Sequence, residues 1–193
     1  MAKATIGQER IEKRVAKILG DFGVDSPPIP VERIARKLGA AVRKEPYEGD
    51  LSGVLYRRAG ECVIGVNNND NGLRQRFTVA HEIGHLVLHD GSIYIDRKYA
   101  GELAKPAETE SGKRFFRDKV SSMATDPHEI EANRFAAALL MPQDLLFADI
   151  EKRSISVPIR SLTDIKPLAS RYRVSLEAMV FRLINLGVPV ETA

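Results

Sequence analysis

Apolar and polar positions alternate with the period of an α-helix in the first part of the chain. In residues 7–22 the apolar side chains recur at helical spacing, at Ile11, Val15, Ile18 and Leu19, with Arg and Lys between them. This pattern predicts an amphipathic helix that Gly20 and Gly23 end. A rigid proline-rich connector at 26–30 and a short helix, VERIARKLG, follow, and Gly39 stops the short helix.

The pattern then changes to that of strands. Residues 40–46, 52–57 and 61–66 predict three strands, and Ala59-Gly60 indicates a hairpin between the last two. A dense turn signal at 67–72 precedes a strongly apolar helix over 73–89, after which residues 92–95 predict a short extended segment.

The second half of the chain is predicted to be helical. Residues 97–125 are polar and without clear periodicity, which is typical of a mobile surface insertion. Helices are predicted at 127–141, from Pro142 to about residue 149, at 161–173 and at 175–186. We therefore expect a main domain over residues 1–150 and a C-terminal helical hairpin, residues 151–193, packed on it.

Composition narrows the class of protein. The chain has 193 residues, of which 44% are apolar and 28% charged, as in folded soluble domains, so extensive disorder is excluded. The net charge of +3 does not require an acidic partner such as a nucleic acid. The single cysteine, Cys62, excludes an internal disulfide and is expected to be a buried structural thiol. With no apolar stretch of signal-peptide or membrane-span length, a cytoplasmic location is expected.

The helix over 73–89 carries the strongest chemical signal. It contains His81-Glu82-Ile83-Gly84-His85, an H-E-x-x-H pattern. Residues one helical turn apart share a face, so the two imidazoles can hold one zinc ion. Glu82 is rotated by about 100° from His81, which places it beside the metal, where it can act as general base. Such groups are costly on a buried helix unless they are paired or bound to a metal, and this favours a metal site over a chance match.

A catalytic zinc also needs a third protein ligand. Asp126 is a good N-cap for the helix over 127–141, and Glu129 stands where a capping box would use it. Glu131 shares a face with Phe135 and Leu139, so its carboxylate should be buried and in need of a partner. We therefore predict Glu131 as the third ligand, with Glu129 and His128 as weaker candidates and a buried ion pair as the alternative role of Glu131.

Two further histidines have alternative interpretations. His89 lies one turn after His85 and would either support the site through a hydrogen bond or simply end the helix, where positive charge is favourable. His128 would either donate to a developing oxyanion or lie on the surface.

The predicted hairpin also has two interpretations. It could hold an extended peptide at an exposed edge, with Gly53 and Gly65 permitting close approach, or be an ordinary part of the sheet.

Two segments resemble the signature blocks of a known family. RQRFTVAHEIGHLVLH (74–89) and EIEANRFAAALLMP (129–142) are similar to those of the ImmA/IrrE metallopeptidases, and SPPIPVERIARKLGA, SGVLY and LASRYRVSLEAMVFRLINLG also resemble that family. The resemblance covers about residues 10–187. It implies a zincin-like α+β fold with a small, mainly antiparallel or mixed sheet. It also implies a gluzincin-type site in which His81, His85 and Glu131 hold one Zn²⁺ and Glu82 is the base. The stretch 97–125 is longer than expected between the two blocks.

The resemblance also implies a function. Members of this family typically cut helix-turn-helix repressors to release transcription in stress responses or mobile elements, so the expected partner is such a repressor or an antitoxin-like protein. One alternative is a non-catalytic, zinc-containing regulator that displaces a repressor, and a second is a DNA-binding module formed by the C-terminal helices. The retained Glu82 argues against the first, and an αα-hairpin packed on the domain explains the C-terminal helices equally well. Manganese is a possible substitute metal, although a His/His/carboxylate set favours zinc.

Overall fold

The architecture comes from a computed structural model that describes residues 7–58, 60–97 and 126–191. The described elements are, in order, α1 (Gln8–Asp21), α2 (Val31–Lys37), β1 (Ala41–Glu45), β2 (Leu51–Arg58), β3 (Glu61–Asn67), α3 (Gly72–Leu88), β4 (Ile93–Arg97), α4 (Pro127–Leu140), α5 (Gln143–Lys152), α6 (Leu162–Tyr172) and α7 (Leu176–Asn185). The predicted α+β class is confirmed. The predicted insertion lies almost wholly outside the described residues.

The four strands form one mixed sheet in the order β1-β3-β2-β4. β2 and β3 are the predicted hairpin, and the turn between them includes Gly60 at φ 87°, a conformation that glycine adopts without strain. β1 lies parallel to β3, and β4 lies antiparallel to β2. Both strands of the hairpin are therefore interior, and β4 is an outer strand beside β2.

One face of the sheet is packed against helices. Leu55, Ile64 and Val66 are fully buried on that face, where α3 crosses the sheet. On the opposite face Val54, Tyr56 and Val63 are only partly buried. On β4, the exposed fraction is 58% for Ile93 and 50% for Ile95. The alternation of side chains along each strand thus directs half of the sheet residues towards α3.

α3 and α4 are the central helix pair. Asn71 caps α3 by accepting a hydrogen bond from the backbone of Arg74, and Asp126 caps α4 by accepting one from the backbone of His128. The two helices approach closely at Gly84, where an added Cβ would lie 3.0 Å from the Cα of Ala132 and 3.2 Å from the Cβ of Phe135. The glycine of the H-E-x-x-H pattern therefore sets the distance between these helices.

The C-terminal helices share the core of the rest of the chain. Their buried apolar residues, which include Ile165, Leu168, Tyr172, Met179 and Leu183, belong to the same cluster as Ile11 and Phe135. Arg182 is buried on α7, where it forms two hydrogen bonds to the carboxylate of Glu12 and one to the carbonyl of Met141. A charged contact therefore links α1, the end of α4 and α7. None of the described helices combines the length and apolar character needed to cross a membrane.

Candidate metal centre

α3 brings two histidines together on one buried face. The Nε2 atoms of His81 and His85 lie 3.0 Å apart, and both side chains are almost completely buried. The predicted helical spacing therefore produces the expected pair of imidazoles, directed at a common point.

Glu129, from the first turn of α4, completes a group of three. Its Oε2 lies 3.2 Å from Nε2 of His81, and its Oε1 lies 3.2 Å from Nε2 of His85. One ligand atom from each residue falls within 4.8 Å of the others, and among the described residues this is the group that could hold a metal ion.

The dimensions of this group suit zinc. Ligand atoms about 2.05 Å from a tetrahedral ion are separated by about 3.3 Å. The two Nε2 atoms are 3.0 Å apart, and each lies 3.2 Å from one of the two carboxylate oxygens of Glu129, which is close to that separation. Two imidazole nitrogens and a carboxylate are also a donor set that Zn²⁺ accepts, with a fourth position left for water. The residues present therefore fit a catalytic type of zinc site.

The pKa shifts of Glu129 and His85 favour the protonation states that bind a cation. Burial alone would raise the pKa of Glu129, but hydrogen bonds and charge interactions with His81 and His85 outweigh burial and lower that pKa well below its usual range. Burial lowers the pKa of His85, with Glu129 partly opposing the change. The carboxylate is thus held ionised, and the neutral form of His85, the form that binds metals, is favoured.

Glu82 lies beside the group with its carboxylate fully buried. Neither carboxylate oxygen has a hydrogen-bond partner among the residues that the structure describes. Burial raises the pKa of Glu82 well above its usual value, and the nearby charges of Asp96 and Glu129 raise it further. An orphaned buried carboxylate is rare and calls for a functional explanation. A group poised to accept a proton provides one.

Glu131, predicted as the third ligand, contacts a different residue. It is 4% exposed, as its position on the apolar face predicts, but its Oε2 lies 2.9 Å from Nε2 of His89 and is not grouped with His81 and His85. Glu129, in contrast, directs its carboxylate at the imidazoles and is not confined to the predicted capping role. The geometry therefore favours Glu129, because the first turn of α4, and not its second, faces the histidine pair.

His89 and His128 also lie next to the site. Nδ1 of His89 is 3.0 Å from Nδ1 of His85, so His89 contacts a member of the group directly as well as ending α3. The ring of His128 stacks on that of His89, with centroids 4.3 Å apart. This contact supports the interpretation that His89 forms a hydrogen bond to the site.

Two neighbours of the histidines were missed by sequence reasoning. Oδ1 of Asn133 lies 3.0 Å from Nδ1 of His81, and the ring of Tyr94 stacks on that of His85 with centroids 4.2 Å apart. Asn133 lies one helical turn after Glu129, and this spacing was a usable signal. Tyr94 gave no such signal, because its position depends on how β4 pairs with β2.

A charged pair borders the site on the sheet side. Arg74 donates to Asp96 over 2.9 Å and also to the hydroxyl of Ser52, which ties α3 to β4 and β2. Burial raises the pKa of Asp96, while the charges of His81 and Arg74 act to lower it. The Arg74–Asp96 pair thus holds β4 beside the metal group, the three residues His81, His85 and Glu129.

The two glycines of the hairpin accommodate the protein's own side chains. A Cβ at Gly53 would collide with Cγ2 of Thr78 and lie 3.0 Å from Oε1 of Glu82. At Gly65 it would collide with the hydroxyl of Tyr47. Of the two interpretations of the hairpin, the structure favours an ordinary part of the sheet, because both hairpin strands are interior and α3 and Tyr47 fill the space at the two glycines.

Fold and site together define a class of protein: a zincin-like α+β fold whose central helix carries H-E-x-x-H and whose next helix supplies a glutamate. The family described as the IrrE N-terminal-like domain, a family of metallopeptidases, matches residues 35–184. The chain belongs to this family.

A solved structure shows the same fold. It is a Mycobacterium tuberculosis transcriptional regulator, with a TM-score of 0.58 and 18% sequence identity, and the match covers 95% of this chain and 48% of that one. The present chain thus spans about half the length of that protein. No curated protein matches the sequence significantly.

Proposed function

We propose that the protein is a zinc-dependent endopeptidase in which His81, His85 and Glu129 hold the ion. The observation that carries the proposal is the buried, orphaned carboxylate of Glu82 beside this group. A purely structural zinc site uses four protein ligands and needs no base, whereas this group has three ligands and a base next to them.

The chain's own residues account for proton transfer. Glu82 accepts a proton from the attacking water and delivers it to the leaving amine, and its raised pKa brings it closer to the working range of such an acid–base group. Asn133 and Tyr94 hold the imidazoles of His81 and His85 in place. A bound zinc ion supplies a Lewis acid for the scissile carbonyl and lowers the pKa of water.

β4 offers a place for an extended substrate. Its inner edge pairs with β2, and no strand in the described part of the chain pairs with its outer edge. A peptide added along that edge would run past Tyr94 and Asp96, which flank the metal group. By family, the substrate we propose is an exposed segment of a helix-turn-helix repressor or antitoxin-like protein.

Glu82→Gln tests catalysis apart from binding. The amide keeps the size of the side chain but cannot accept the proton, so cleavage of a repressor partner should fall by at least the roughly 10²–10⁴-fold typical of a lost acid–base group. Zinc content, measured by atomic absorption, should stay at the wild-type level. Cleavage by Glu82→Gln at the wild-type rate would overturn the catalytic assignment.

A non-catalytic regulator is the second candidate. The solved structure with the same fold is named a transcriptional regulator, and a regulator need only bind its partner. If wild-type protein and Glu82→Gln both relieve repression in a reporter assay and no cut product is found, this second candidate replaces the first.

DNA binding by the C-terminal helices is less favoured. Two arginines of these helices are paired within the protein: Arg171 with Asp149, and Arg182, which is buried, with Glu12. Both are thus used internally, which leaves less positive charge to meet phosphates.

A further inference from the structure

A chain of contacts leads from the metal group into the protein. Nδ1 of His85 lies 3.0 Å from Nδ1 of His89, and Nε2 of His89 lies 2.9 Å from Oε2 of Glu131. All three side chains are buried. Nε2 of His85 is the end of this series of contacts at the proposed metal position.

The carboxylate of Glu131 determines which nitrogen atoms donate in this series of hydrogen bonds. The carboxylate of Glu131 is an acceptor, so Nε2 of His89 carries the hydrogen in this contact. Nδ1 of neutral His89 is then an acceptor, and Nδ1 of His85 must donate to it. Nε2 of His85 is left with its lone pair free, facing His81 and Glu129.

We infer that His89 and Glu131 are positioning residues that hold His85 in the tautomer whose Nε2 binds the metal. The inference rests on the proposed metal site. A carboxylate acting on a metal-binding histidine normally contacts it directly, and here a second imidazole lies between the two. The negative charge of Glu131 also makes the nitrogen of His85 a better ligand, as a carboxylate partner does in other metal sites.

Ring packing fixes the same geometry independently. Tyr94 stacks on His85 with planes 18° apart, and His128 stacks on His89 with planes 29° apart. The two imidazoles are therefore restrained in orientation, which a hydrogen bond between two Nδ1 atoms requires.

We call the series Glu131–His89–His85 the relay. Zinc affinity, measured by competition with a chelating dye, tests it. His89→Phe keeps a ring for stacking but removes the acceptor, and it should weaken zinc binding by about 10- to 100-fold. Glu131→Ala should have a similar effect, and the double variant should lose little more than either single one, because all three changes break one chain. Glu131→Gln is the matched control: its amide oxygen still accepts from His89, so its loss should be smaller.

The relay is overturned if folded His89→Phe binds zinc as tightly as wild type. That result would show that His85 binds the metal equally well without the contact to His89. It is also overturned if the two single effects multiply in the double variant. Circular dichroism of the metal-free variants establishes that they are folded.

A measurement on the wild-type chain covers the case in which a variant does not fold. Nitrogen-15 NMR of the metal-free protein should show His85 protonated at Nδ1 and His89 protonated at Nε2. The opposite tautomers would contradict the relay. Failure of the proposed function is a separate result: wild type that binds zinc with these tautomers but cleaves nothing contradicts the peptidase and supports the relay.

Discussion

At the scale of the residue, the proposed metal site has two candidates for its third ligand, and both are glutamates on α4. Glu129 is directed at His81 and His85, whereas Glu131 contacts His89. Glu129→Ala should therefore weaken zinc binding by more than the roughly 10- to 100-fold expected when a group that only supports a ligand is lost. Equilibrium dialysis against zinc would measure the difference from Glu131→Ala, and a larger loss in Glu131→Ala would return the ligand role to Glu131.

Only part of this site is predictable from the sequence. The spacing of His81, Glu82 and His85 follows from helical geometry and was readable directly. The choice between Glu129 and Glu131 was not, because it depends on how α4 crosses α3. The apolar pattern predicts that Glu131 is buried and needs a partner, and in the structure it contacts a third histidine, one turn after His85.

At the scale of the element, Gly84 controls the contact between α3 and α4. A methyl group there would lie 3.1 Å from the backbone oxygen of Ala132, an atom that cannot move without shifting the helix. Gly84→Ala should therefore lower the free energy of unfolding by about 1–3 kcal/mol, the usual cost of overpacking. It should also weaken zinc binding, because Glu129 moves with α4.

Gly20→Ala is the matched control in urea unfolding. Gly20 lies within α1, and a Cβ there would meet no atom of the described residues within 4 Å. The change should leave stability unchanged or raise it by up to about 1 kcal/mol, because alanine is the better helix former. If Gly84→Ala proved as stable as Gly20→Ala, the close approach would not limit the packing.

Most elements were predictable because their signals are local. The hydrophobic period located α1, α3 and α4 to within a residue or two, and Ala59-Gly60 located the hairpin. The parallel pairing of β1 with β3 was not predictable, because it joins strands that are not neighbours in the sequence. The hairpin therefore proved to be interior, which no local pattern indicates.

At the scale of the whole molecule, one buried ion pair joins distant parts of the chain. Arg182 is 1% exposed and Glu12 is 18% exposed, and they lie near opposite ends of the sequence. Arg182→Leu should lower the free energy of unfolding by about 3 kcal/mol, since it leaves a largely buried carboxylate without its cation. Urea denaturation would measure this loss.

Lys13→Ala removes a different pair from the same helix and serves as the control. Lys13 and Glu9 are both largely exposed, so water and salt screen their attraction. Its midpoint of unfolding should match that of wild type. Equal midpoints for Arg182→Leu and Lys13→Ala would show that the buried pair adds nothing to stability.

The placement of Glu129 on a different helix from His81 and His85 has a consequence for the unfolded chain. An ion held by all three would crosslink the polypeptide between residues 85 and 129. The unfolded chain does not assemble the three ligands, so the free energy of zinc binding would add to the free energy of folding. Chelation by EDTA should then lower the melting temperature, and stoichiometric zinc should restore it. In such a protein the ion that cuts substrates would also hold the enzyme together.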